Sequence, residues 1–141
     1  MDKNYKYNII FYEKSGCAGN KKQKNILLYQ GLSFRTIDIL KMNWTKETLT
    51  PFFKNKTKED MINPFAPQIK NRILDINKLS KSELIEKMCK EPILIKRPLM
   101  EVGEHKLCGF DIKVINSLLK ISICKDLKIS TCQSVDLSTS A

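Results

Sequence analysis

The feature that most constrains the fold of this chain lies in its first forty residues. Tyr7-Asn8-Ile9-Ile10-Phe11-Tyr12 is short, aromatic and β-branched, which is the composition of a buried strand. It runs into the loop Glu13-Lys14-Ser15-Gly16, and from about Cys17 to Gln30 the positions of Ile26, Leu27 and Leu28 suit a helix that stops at Gly31. Phe34 to Ile39 alternates again as a second strand. A strand, helix and strand joined this tightly form a β-α-β unit with a right-handed crossover, so the chain is committed to an α/β architecture from its start.

The rest of the sequence extends that unit. Thr45 suits the cap of a helix through Glu47, Leu49, Phe52 and Phe53, with Pro51 late in it, and a further short helix fits Lys58 to Ile62. Asn63-Pro64-Phe65-Ala66-Pro67 interrupts regular structure. Ser80-Lys81-Ser82-Glu83 is a capping box that opens a helix to about Cys89. Ile93-Leu94-Ile95-Lys96 reads as a central strand, Leu99 to Val102 and His105 to Cys108 as a hairpin about Gly103-Glu104, and Asp111 as the cap of a last helix through Val114, Ile115, Leu118 and Leu119. The expected fold is a mixed sheet built from β-α-β and then β-β-α, with a helical insertion between them. It occupies one domain, residues 1–121, and the Ser/Thr-rich segment 122–141 is expected to be a flexible tail.

Bulk properties narrow the function. At 141 residues the chain is long enough for a core without covalent staples. No apolar run approaches the roughly 20 residues of a spanning helix, and the polar start lacks a secretory signal, so a cytoplasmic location without a membrane partner is expected. The net charge of +10 comes almost entirely from lysines scattered along the chain, which argues against a specific nucleic-acid partner. The five cysteines (Cys17, Cys89, Cys108, Cys124 and Cys132) form no C-x-x-C pair, so their spacing predicts no metal site and no bound cofactor.

Among these thiols Cys17 is the one placed for chemistry. A cysteine in a loop that feeds a helix gains from the unsatisfied N–H groups of the first turn, which favour thiolate over thiol. Lys14, Lys21 and Lys22 add positive potential nearby, and Glu13 opposes them. Arg97-Pro98, after an apolar run and before a strand, is a candidate cis peptide that would turn Arg97 toward Cys17. The plainer alternatives are a small residue starting a helix and a solvated arginine before a trans proline. His105 lacks the carboxylate setting of a triad and reads as solvated; Cys89 and Cys108 read as core thiols.

Taken together, F-Y-E-K-S-G-C-A-G-N-K-K-Q at 11–23, R-P-L-M at 97–100 and G-F-D at 109–111 resemble the arsenate-reductase-like (ArsC/Spx) family. W-T at 44–45, P-F-F at 51–53, I-K-R-P-L-M at 95–100 and a late Asp126-Leu127 followed by Cys132 are similar to its nitrogenase-associated branch. The resemblance implies a thioredoxin-like fold with Cys17 as nucleophile and Arg97, before Pro98, as the oxyanion-binding group. It makes Gly16, Ala18, Gly19, Asn20 and Pro98 substrate-binding positions. It implies a small oxyanion or disulfide as substrate, and as reductant glutathione, a glutaredoxin, or a resolving thiol from Cys124 or Cys132. Arsenate reductases of this type carry His where this chain has Glu13 and Ser or Thr where it has Asn20. Of their three oxyanion arginines only Arg97 has a counterpart, with Arg72 the nearest residue to a second and Gly109-Phe110-Asp111 standing in place of a third. The expected activity is therefore thiol-dependent redox chemistry other than arsenate reduction. The alternative is a non-catalytic accessory or redox-sensing protein that binds a nitrogenase-related partner. A third reading, the transcription-regulator branch, ordinarily has a C-x-x-C switch, and Asn20 occupies the second position here.

Overall fold

Alternation along the first strand divides the protein into two cores. The computed structural model describes residues 9–119. Strands β1 (Ile9–Glu13), β2 (Phe34–Asp38), β3 (Leu99–Val102) and β4 (His105–Cys108) form one sheet in the order β2-β1-β3-β4. The β1/β2 pair is parallel and the β1/β3 and β3/β4 pairs are antiparallel. Helices α1 (Ala18–Tyr29) and α6 (Ile112–Leu119) cover one face, where Ile9, Phe11, Met100 and Val102 meet Ile26, Leu27, Phe110 and Ile115. On the other face Tyr12, Leu99 and Cys108 pack against the insertion, which carries α2 (Lys46–Leu49), α3 (Lys58–Met61), α4 (Pro67–Lys70) and α5 (Lys81–Lys90). Because successive strand side chains point to opposite faces, Phe11 and Tyr12 belong to different cores although they are neighbours in sequence.

Local chemistry sets the element ends. After α1 the chain turns at Gly31, whose φ of +76° suits a residue without Cβ. The Gly31 N–H then donates to Leu28 O at 2.8 Å and the Leu32 N–H to Leu27 O at 3.1 Å, closing the helix as a Schellman motif. The Ser80 and Glu83 side chains cap each other's backbone reciprocally at the start of α5. Asp111 Oδ1 accepts from the N–H groups of Lys113 and Val114 at the start of α6. Across the sheet, Tyr12 donates its hydroxyl proton to Glu101 Oε2 at 2.6 Å, a contact between residues 89 apart in sequence.

The structure departs from expectation in three places. Ile93–Lys96 is not a sheet strand: Pro92–Leu94 is a 3-10 turn, and only Ile95 makes an isolated bridge, to Ile62. Its hydrophobicity serves the insertion core instead, and its backbone is spent there, with Asn63 N–H donating to Leu94 O at 2.8 Å and Lys96 N–H to Met61 O at 2.9 Å. The helix expected from Thr45 through Phe53 is two pieces, α2 and a 3-10 turn over Thr50–Phe53 that Pro51 opens. Pro67, expected to break structure, sits in the first turn of α4, where its missing N–H costs nothing. The start of the first strand at residues 7 and 8, the expected tail, Cys124 and Cys132 lie outside the described residues.

Candidate functional site

Cys17 is the N-cap of α1, with extended backbone angles (φ −76°, ψ 118°), and its thiol makes no capping hydrogen bond. The Lys21 N–H is the first to find an intrahelical acceptor, at Cys17 O (3.0 Å). The N–H groups of Ala18, Gly19 and Asn20 therefore remain free for an anion at the helix start, and no acidic side chain lies in that turn. The loop before it is short and closed: Cys17 N–H donates to Lys14 O at 3.1 Å, and Gly16 holds a φ of +83° that the turn requires. An added Cβ at Gly16 would meet nothing within 4 Å, so conformation and not space makes glycine the fitting residue.

Arg97-Pro98 is cis, as the sequence suggests. The last β1/β3 pair is Tyr12 with Leu99, so in this antiparallel pair the chain leaving β1 and the chain entering β3 lie at one end of the sheet. Arg97 and the Cys17 loop thus leave the two central strands at the same end of the sheet. The Arg97 Nε is buried and has no hydrogen-bond partner among the described residues, which leaves a guanidinium donor uncommitted there.

The neighbours of Cys17 divide between open and closed positions. Gly16 and Ala18 are exposed, Gly19 is half-buried and Pro98 is buried. The Asn20 side chain turns inward, 2% exposed, accepting from Lys14 N–H at 3.2 Å and donating to the equally buried Gln23 at 3.0 Å. Glu13 forms an ion pair with Lys24 of α1 at 2.6 Å, so its charge is matched within the protein. Arg72 is exposed in a left-handed turn (φ 58°) after α4. His105 is exposed at the start of β4, and the described residues hold no cluster of three or more His, Cys, Asp or Glu that suits a metal. Sequence reading passed over the Asn20–Gln23 pair, although polar residues at 20 and 23 in register with Ile26 and Leu27 place two carboxamides on the apolar stripe of a helix.

The other described thiols sit in a different environment. Cys108 is buried, with its Sγ 3.7 Å from Asp60 O, and burial pushes the thiol up from 9.0 to about 11, against the lowering influence of Lys56 and Lys96. Burial, and next the carboxylate of Glu86, raise Cys89 as well. The folded protein holds the Cys108 proton more tightly than the unfolded chain does, so this stability is intact below pH 9 and lost as the pH climbs toward about 11. Tyr12, raised by burial and by Glu101, adds to the loss above pH 10. Unfolding midpoints measured from pH 8 to 11 should fall steadily for the wild type and fall less for Cys108→Ala; identical slopes would remove Cys108 from this account.

The sequence matches the ArsC family model over residues 12–118. The chain belongs to the ArsC family. The resemblance read from its motifs holds, and with it the thioredoxin-like fold with a helical insertion. An uncharacterized 15.7 kDa protein in the draG 3' region of Rhodospirillum rubrum is 39% identical over 126 residues, covering 89% of this chain and 88% of that one. Among solved structures, arsenate reductase from Vibrio cholerae superposes with a TM-score of 0.64 at 20% identity, over 82% of this chain and 98% of its own. SACOL0876 from Staphylococcus aureus superposes with a TM-score of 0.61 at 27% identity, over 77% and 96%. This ArsC-family chain has no helix among its described residues that is long and apolar enough to cross a membrane.

Proposed function

We propose that this ArsC-family protein is a thiol-dependent oxidoreductase with Cys17 as nucleophile and Arg97 as the group that holds an anionic substrate. One observation carries the reading: a thiol free of capping duty at the N-cap of a 12-residue helix, beside three unsatisfied N–H groups and at the sheet end where Arg97 emerges. The Cys17 thiolate attacks one sulfur of a disulfide and expels the other half as a thiolate, which takes up a proton. A second thiol, from glutathione, a glutaredoxin, Cys124 or Cys132, then attacks the Cys17 sulfur of the mixed disulfide and expels the other half of the substrate as a thiolate, which takes up a proton; glutathione or a glutaredoxin reduces the disulfide so formed and returns Cys17 to its thiol. Two reductant thiols are oxidised to one disulfide for each substrate disulfide reduced to two thiols, so the electrons balance. Arsenate is a poor candidate substrate, because Glu13 is committed to Lys24, the Asn20 side chain faces inward, and Gly109 to Asp111 supply no arginine.

Alkylation tests the central thiol. With limiting iodoacetamide at neutral pH, peptide mass spectrometry of the folded protein should find Cys17 modified well before Cys108, whose thiol is buried and holds its proton through that burial. Equal labelling of the two would defeat the proposal.

A second reading, a non-catalytic accessory protein with a nitrogenase-related partner, is favoured by Glu13, which is ion-paired with Lys24 and stands where the arsenate reductases that the sequence resembles carry a histidine. Under it, a partner captured by the wild-type chain is captured equally by Cys17→Ser, and the disulfide assay stays at background for both.

A further inference from the structure

We infer that Asn20 and Gln23 are positioning residues that hold the Cys17 loop against the start of α1, an inference that rests on Cys17 being the reactive thiol. Both side chains are 2% exposed and lie on the face of α1 that continues into Ile26 and Leu27. Two carboxamides on such a face are costly to bury unless their polar atoms are paired, and apolar residues would pack there without that cost. Here the pairing is directed at one point. Asn20 Oδ1 accepts the Lys14 N–H at 3.2 Å, while Gln23 Oε1 accepts from Asn20 Nδ2 at 3.0 Å and so fixes which way the Asn20 amide faces.

Lys14 is thereby held at both of its backbone groups. Its N–H is bound to the first turn of α1, and its carbonyl accepts the Cys17 N–H at 3.1 Å. Only Ser15 and Gly16 lie between these anchors, and Gly16 is already confined to a left-handed conformation. The loop is a closed ring in which the Cys17 backbone direction is set from the helix that begins there. Without the Asn20 acceptor, the Lys14 N–H turns to water, the ring opens, and the sulfur spends less time at the helix end.

The test is the rate of iodoacetamide alkylation at Cys17 and at Cys108, followed site by site in the full folded chain. Wild type is compared with Asn20→Ala, Gln23→Met and the double variant at neutral pH. Asn20→Ala should slow Cys17 by about five- to tenfold, the equivalent of one lost hydrogen bond, and leave Cys108 unchanged. Gln23→Met should slow it less, and the double variant should match Asn20→Ala because Gln23 acts through Asn20. A wild-type Cys17 rate in Asn20→Ala overturns the inference. So does acceleration of both thiols together, the mark of general loosening, and a double variant slower by the product of the single effects removes Gln23 from the device. If Asn20→Ala does not fold, Gln23→Met decides alone: a slowed Cys17 supports the inference and an unchanged one overturns it. Disulfide-reductase activity that survives Cys17→Ser would defeat the enzymatic reading and leave this positioning result to stand or fall separately.

Discussion

Cys17→Ser is expected to lower disulfide-reductase activity by at least about a thousandfold, the scale on which enzymes lose rate with their nucleophile, while raising the unfolding midpoint. The two effects have opposite signs because they come from the same position in α1. A serine hydroxyl needs a base to attack a disulfide, and the single histidine, His105, lies exposed on β4 and not in the Cys17 loop. As an N-cap, however, serine is better than a thiol that makes no capping bond, and its oxygen accepts an N–H from the first turn. That gain is worth about 0.5–1 kcal/mol. Coupled assay with glutathione and a small mixed disulfide measures the first effect and urea unfolding the second. Activity within tenfold of wild type would exclude Cys17 as nucleophile; a large loss of stability would show that the thiol is packed and not poised.

Phe11→Ala should be the most destabilising single truncation of the central strand. Phe11 is fully buried and sits between Phe34 of β2, with ring centroids 6.2 Å apart, and Phe110 before α6, at 6.5 Å and edge to face. Removing it opens a cavity beneath α1 that rigid neighbours cannot fill, at a cost of about 3–5 kcal/mol. With a urea slope of about 1–3 kcal/mol/M, the unfolding midpoint falls by about 1–5 M. Leu28→Ala, at a side chain 58% exposed on the outer side of the same helix, should stay within about 0.5 kcal/mol of wild type. Similar losses from the two variants would contradict the two-core arrangement.

What the sequence yielded and what it withheld have a common cause. Local rules were readable: Gly31 closing α1, the Ser80–Glu83 box opening α5, Asp111 capping α6 and the hairpin from Leu99 to Cys108 each depend on a few consecutive residues. Ile93–Lys96 was misread because an apolar run records burial and not the identity of its partner, and its partner is the Met61–Asn63 segment some thirty residues earlier. The site was legible as a position, since a thiol between a strand and a helix is a local pattern. The inward turn of Asn20, the Lys24 partner of Glu13 and the unpartnered Arg97 Nε depend on how elements meet in space.

The cross-sheet contact between Tyr12 and Glu101 bears on how the protein is made. The strand that leads into Cys17 is translated early, yet its second neighbour in the sheet leaves the ribosome only after 89 further residues, a delay of roughly 5–20 s at ordinary synthesis rates. During that interval one flank of an aromatic, β-branched strand has no sheet partner and is open to chaperones or to wrong pairings. The end of the molecule that carries the proposed Cys17–Arg97 site is therefore completed late in biogenesis, and nascent chains stalled within the insertion should hold that site unformed.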